Sequence, residues 1–174
     1  MSISGTNAPP PLLGRAVRHE WPLDWSFLTV NHGSFGATPR VVLAAQQDWR
    51  RQLEAQPTRF MHEILPAGLA DAAARLGAFL GADGKDIGLL DNATSGCNAV
   101  LRSLQLAAGD EVLVLSHGYG AVRNTVRFVT ERAGARMTEA AIPFPRPDAE
   151  AIVASVSTAL TERTRVAVVD HITS

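Results

Sequence analysis

Residues 109–136, GDEVLVLSHGYGAVRNTVRFVTERAGAR, hold the pattern that decides the fold. Glu111–Leu115 is a short apolar strand candidate, and the loop Ser116-His117-Gly118-Tyr119-Gly120 follows it. Apolar residues then return at helical spacing over Ala121–Ala133, where Val122, Val126 and Val129 form a buried stripe and Arg123, Arg127 and Arg132 face outward. Arg136 opens the next strand. The same alternation extends to both sides. Strand candidates at Asp86–Leu90, Arg136–Ile142 and Arg165–Asp170 join Glu111–Leu115, and helix candidates at Ser95–Ala107 and Asp148–Leu160 fall between them. Strand starts recur every 25 to 29 residues, the length of a strand–helix–strand unit with a right-handed crossover. The fold class expected is α/β with a mainly parallel sheet.

Upstream the pattern is helical. Leu69, Ala72, Leu76 and Phe79 predict a helix over Ala67–Leu80 closed by Gly81. Thr38-Pro39 predicts the start of an earlier helix carrying Val42, Ala45, Trp49 and Leu53, with Pro57 as its stop. Leu28–Asn31 has the look of a strand-like entry to a glycine-punctuated loop. Before it, Pro9-Pro10-Pro11 favours extended backbone, and Trp21, Trp25 and Phe27 are apolar anchors. Three segments follow: an arm at 1–30, a helical segment at 31–84, and an incomplete large domain at 85–174. The alternation halts at Asp170-His171-Ile172-Thr173-Ser174, so the expectation is a truncated sheet whose bare edge makes the isolated chain aggregate or oligomerise.

Composition narrows the function. The 174 residues are 46% hydrophobic with a net charge of -1 and no basic run, so a nucleic-acid partner has no electrostatic footprint. No apolar stretch is long enough to span a membrane, and the first residues lack the basic and apolar regions of a secretory signal, which predicts a cytoplasmic protein. The single cysteine, Cys97, excludes an internal disulfide or a cysteine metal cage and is read as a packing residue. His32, His62, His117 and His171 show no metal-type spacing. Lys85 is the only lysine beside fifteen arginines.

In a parallel sheet with helices on both faces, ligands bind beyond the carboxyl ends of the strands, next to helix N-termini. Asp91-Asn92-Ala93-Thr94-Ser95-Gly96 is a strand–helix joint rich in hydroxyls and small side chains, suited to an anion. Thr94 and Ser95 serve equally as ordinary helix caps. Neither a Walker loop nor G-x-G-x-x-G is present, which disfavours nucleoside triphosphates and dinucleotides. Tyr119, between two glycines, can lie flat against a planar ligand or simply be a packed tyrosine. Arg59 is a candidate carboxylate clamp, with a solvated arginine the plainer alternative.

Four motifs occur together and in order: LTVNHGSFGATP at Leu28–Pro39, NATSG at Asn92–Gly96, SHGYGAV at Ser116–Val122 and DHITS at Asp170–Ser174. The set resembles the class V aminotransferase-fold enzymes that use pyridoxal phosphate (PLP), in particular the isopenicillin N epimerase-like branch related to cysteine desulfurases. The resemblance implies the three-layer large domain of the fold type I PLP-dependent transferases. It also implies roles. Ala93, Thr94 and Ser95 match the phosphate cup, and Tyr119 the ring that stacks on the cofactor pyridine. Thr173 and Ser174 match positions that bond the cofactor's phenolic oxygen. Asn31, His32 and Ser34, joined by Arg59, would line the substrate side. The reaction implied is epimerisation, C–S lysis or desulfuration, or amino transfer on an amino acid, in an enzyme that is a homodimer when full-length.

The family also needs an aspartate at the pyridine nitrogen and a Schiff-base lysine, both expected beyond Ser174. Lys85 precedes the first expected strand, and the cup follows it, a separation of about 17 Å. A lysine side chain spans only about 6 Å. No catalytic residue is therefore expected in this chain, which alone should be inactive. The rival expectation is a non-catalytic module, a shortened paralogue or fragment that binds a phosphate-bearing ligand or a full-length partner. A generic nucleotide-binding domain is the third.

Overall fold

The computed structural model describes residues 13–145 and 148–173. The chain divides into two units, one ending at Ile87 and the other beginning at Gly88. No helix among the described residues is long and apolar enough to cross a membrane.

The first unit opens with a 3-10 helix, Gly14–Glu20. Leu28–Asn31 forms no strand, and of the expected anchors Trp21 is half-buried, Trp25 lies under the Arg18 guanidinium at 3.8 Å and Phe27 is exposed. Helix α1 spans Arg40–Ala55. Pro39 itself takes the cap position with extended backbone, so Thr38 lies one residue too early to cap it. Pro57 ends α1 but also starts the next helical run: the single turn α2 (Pro57–Arg59), a π-helical turn (Phe60–Ile64) and α3 (Leu65–Leu80) follow without a loop. Phe60 is buried and meets Trp49 edge-to-face at 6.1 Å, which holds α1 against the π-helical turn. Gly81, at φ +74°, closes α3 in the left-handed conformation expected of it.

The second unit is the α/β layer structure. Strands β1 (Glu111–Leu115), β2 (Arg136–Ala140) and β3 (Thr164–Val168) form one parallel sheet in the order β2-β1-β3. Helix α4 (Ala93–Ser103) precedes β1, α5 (Gly120–Ala133) joins β1 to β2, and α6 (Ala149–Ala159) carries the chain back across β1 to β3. Alternate residues of β1 face opposite sides, and each side has its own helices. Val112 and Val114 pack with Leu101 of α4 and with Val122 and Val126 of α5. Leu113 and Leu115 pack with Ala140, Ile142 and, from α6, Val156 and Ala159. Reversing the direction of travel between the two crossovers places their helices on opposite faces, the arrangement of a doubly wound sheet.

Three boundaries differ from the periodicity for identifiable reasons. Asp86–Leu90 is not a strand: a 3-10 turn takes Gly84–Asp86, and Ile87 onward is extended without a ladder partner among the described residues. Helix α4 stops at Ser103, although Leu104 and Leu106 continue the apolar pattern, because both reach the core from the connecting loop. Ile142 and Asp170 lie past the ladder, since β1 ends at Leu115 and offers them no partner. Val129 is only half-buried, while Thr125 and Thr130 share the buried face by donating their hydroxyls to Ala121 and Val126 carbonyls.

Candidate functional site

The two ends of the sheet carry different chemistry, and the carboxyl end is the candidate site. Helix α4 returns to β1 through a short connection, so it runs antiparallel to the strand and its first turn lies at the strands' carboxyl edge. Asn92 caps that turn, its carboxamide oxygen accepting the Ser95 N–H at 2.8 Å, while its own N–H donates to Asp91. Gly96 N–H bonds the Asn92 carbonyl. Among the described residues the N–H groups of Ala93 and Thr94 donate to nothing, and the Thr94 and Ser95 side chains are half-exposed. The helix dipole and two free donors thus point outward at a place where hydroxyls can add to them. Sequence reasoning places Thr94 and Ser95 at the helix start and offers them as its caps; the cap is instead Asn92, whose position three residues before Ser95 is the signal for it.

The β1–α5 loop leaves the sheet at the same carboxyl edge. Gly118 N–H closes a turn on Leu115 O at 2.9 Å, and a Cβ on Gly118 would stand 3.0 Å from that same oxygen. Any side chain there would press on the turn, which a glycine leaves unstrained. Ser116 ties the loop to the strand beside it by accepting the Ile142 N–H at 2.9 Å. His117 meets Phe144 edge-to-face at 5.8 Å. Tyr119 caps α5 with backbone only, and the residue is 47% exposed.

Arg123 is the residue that periodicity misplaced. Instead of facing solvent, its guanidinium donates to Leu115 O at 2.8 Å and to Glu139 at 2.6 Å, joining β1, β2 and α5 at the carboxyl edge. Thr173 follows the end of β3, and Ser174 lies outside the described residues. Cys97 packs against the core on the α4 side, as expected of a packing residue. The remaining expected site residues belong to the first unit. Phe35 N–H bonds Asn31 O at 3.1 Å and Ala37 N–H bonds His32 Nδ1 at 3.3 Å, so the loop holding Ser34 folds on itself. Arg59 pairs with Glu63 on its own helical run at 3.2 Å. Lys85 pairs with Asp83 at 2.9 Å on an exposed turn.

The geometry acquires a lineage from sequence comparison. The aminotransferase class-V family model matches residues 35–174. This chain belongs to the class V aminotransferase family. The family is PLP-dependent and enzymatic, and its known members include the named relatives of this chain. It is 38% identical over 159 residues to putative L-cysteine desulfhydrase 1 of Oryza sativa subsp. japonica, covering 83% of this chain and 33% of the relative. It is 30% identical over 152 residues to isopenicillin N epimerase of Streptomyces clavuligerus, covering 87% of this chain and 38% of the relative. Among solved structures, a C-DES mutant with glycine covalently linked to its PLP cofactor superposes with a TM-score of 0.72 at 26% identity, over 90% of this chain and 41% of that one. The class V chain described here therefore spans between a third and about two fifths of the length of these proteins. The match confirms the family, the α/β parallel-sheet fold and the isopenicillin N epimerase-like relationship expected from the four motifs.

Proposed function

We propose that this chain contributes the phosphate cup and the ring-stacking wall of a PLP-dependent enzyme that acts on an amino acid. The observation that carries the reading is the first turn of α4, where Ala93 and Thr94 keep free N–H groups beside the Thr94 and Ser95 hydroxyls. A phosphate dianion answers that donor set, and the small residues let it approach the backbone. Tyr119 supplies a flat exposed face for a pyridine ring. When bound, PLP acts as an electron sink that stabilises negative charge at an amino acid's α-carbon.

The chain's own residues bind and orient. Ala93, Thr94 and Ser95 hold the phosphate, Tyr119 holds the ring plane, and Thr173 with Ser174 bonds the phenolic oxygen. Asn31, His32, Ser34 and Arg59 serve the substrate, Arg59 through its carboxylate once released from Glu63. The names of the relatives favour C–S cleavage of cysteine over epimerisation or amino transfer. Lys85, engaged with Asp83 on its turn, has no part in cofactor attachment, so binding to this chain is reversible. Assembly as a homodimer belongs to the same reading.

Titrating purified protein with PLP, then reducing with borohydride and mapping pyridoxyl groups by mass spectrometry, tests the proposal. Saturable binding that inorganic phosphate competes away, without labelled Lys85, is expected. Absence of saturable binding, or binding only through Lys85, overturns it.

A further inference from the structure

We propose that Asp170 is a positioning residue for the Tyr119 ring, a role that rests on the cofactor reading above. Asp170 lies two residues beyond the end of β3, next to the β1–α5 turn although 51 residues separate the partners in sequence. One carboxylate oxygen, Oδ1, accepts the Tyr119 N–H at 3.4 Å. The other, Oδ2, lies 3.3 Å from where a Gly118 Cβ would be, so the carboxylate rests against the turn itself. On its other side, the Tyr119 carbonyl accepts the Arg123 N–H at 3.0 Å. The peptide units flanking Tyr119 are thus held from both directions, and its side chain alone is left free.

Tyr119 is also the cap residue of α5, with φ -59° and ψ 127°, and its side chain makes no capping bond. Helix starts favour a nearby negative charge and an acceptor for their first N–H groups. Asp170 supplies both from beyond the end of a different strand. That division releases the cap residue to be an aromatic one, which an ordinary Ser, Thr or Asp cap excludes. The ring's direction follows from the backbone of Tyr119, and that backbone is set by Asp170.

Tyr119 is the only tyrosine in the chain, so 3-fluorotyrosine incorporation gives a single 19F resonance that reads its surroundings without cofactor. Asp170→Ala should move that resonance toward the free amino acid position and lower PLP affinity about fivefold to tenfold, the scale of one aromatic contact. Affinity for inorganic phosphate and the far-ultraviolet circular dichroism should stay as in the parent. Asp170→Asn keeps an acceptor oxygen and should restore both the resonance and PLP binding. If Asp170→Ala does not fold, Asp170→Glu, which displaces the oxygens by one methylene, should shift the resonance instead. An unmoved resonance in the folded variants, or phosphate affinity falling in step with PLP affinity, overturns the positioning role. A parent resonance that ignores added PLP sinks the cofactor reading while the Asp170–Tyr119 coupling is still measured in the apoprotein.

Discussion

At the amino edge of the sheet the carboxylates of Asp110 and Glu111 are answered from within, whereas at the carboxyl edge donors and an aromatic face are left over. The Glu111 side chain is 1% exposed and receives Thr161 Oγ1 at 2.6 Å, Arg136 at 3.1 Å and Arg163 at 3.0 Å. Asp110 receives the Ala107 N–H and Arg165, both at 2.8 Å. Both carboxyls are held below their ordinary range, Glu111 chiefly by the Thr161 hydroxyl and Asp110 chiefly by the Ala107 N–H. The starts of all three strands are clasped there. Across the sheet, Asn92 satisfies one N–H of α4 and leaves two, and Tyr119 exposes its ring. One edge holds the strands together, and the other is where we propose that the cofactor's anion and ring sit. Four outcomes sharpen or break that contrast.

The largest expected effect is at the closed edge. Glu111→Gln removes the charge that two arginines and a threonine address, so the melting temperature should fall by on the order of 10 °C. Phosphate and PLP binding should persist at temperatures below the new transition. A variant that melts normally but loses PLP would mean that the two edges are not separate in function.

At the open edge the expected effect is on binding. Thr94→Val with Ser95→Ala removes two hydroxyl donors from the cup while leaving the backbone N–H groups. A hydrogen bond to a charged group contributes about 1.5–3 kcal/mol, so PLP affinity should drop at least tenfold, about that factor for the first hydroxyl lost. Melting of the PLP-free variant should change little. Equilibrium titration beside a thermal scan checks both halves.

Acid should act on the closed edge first. Asp110 and Glu111 have folded-state pKa values below their ordinary 3.8 and 4.5, so folding binds fewer protons there than unfolding. Their stabilisation is complete above those ordinary values and is lost as pH falls through the lowered ones. Between about pH 5 and about pH 3 the parent should lose more stability than Glu111→Gln, which has one of the two groups already removed. Parallel slopes for the two proteins would show that the clasp does not titrate as described.

Much of the fold, and the open edge of the contrast, is legible in the sequence. The apolar run of β1, the βαβ spacing, the Gly81 terminus of α3 and the anion-ready joint at Ala93–Ser95 all express local rules, in which a residue's neighbours in sequence decide its state. What was missed is nonlocal. Arg123 obeys its helix's period yet turns back to Leu115 O and Glu139, and a helical wheel cannot see either partner. Asp86–Leu90 has a strand's composition, but a strand exists only through its partner. The clasp of Asp110 and Glu111 leaves a trace in the sequence: Glu111, Arg136 and Arg165 stand at the starts of strands expected to be parallel. Parallel register brings strand starts to one edge, and Glu111 is indeed paired with Arg136 in the ladder. For the candidate site, sequence located Thr94, Ser95 and Tyr119 on one unit but gave no sign that Asp170 reaches back to the Tyr119 turn.

The smallest expected effect separates capping from binding at one residue. Asn92→Ala removes the carboxamide oxygen that now occupies the Ser95 N–H, and loss of such a cap costs about 1 kcal/mol of stability. It also adds a third free donor to the turn where Ala93 and Thr94 already have theirs. A ligand anion can then take the place of the missing oxygen. The variant should therefore melt a few degrees below the parent in plain buffer and regain most of that loss in saturating phosphate or PLP, because a ligand stabilises the state that binds it. The measurement is the difference in melting temperature with and without phosphate, compared between the two proteins. A deficit that phosphate leaves untouched would show that the first turn of α4 is capped for structure alone, and the contrast between the two edges would then rest on the exposed Tyr119 ring.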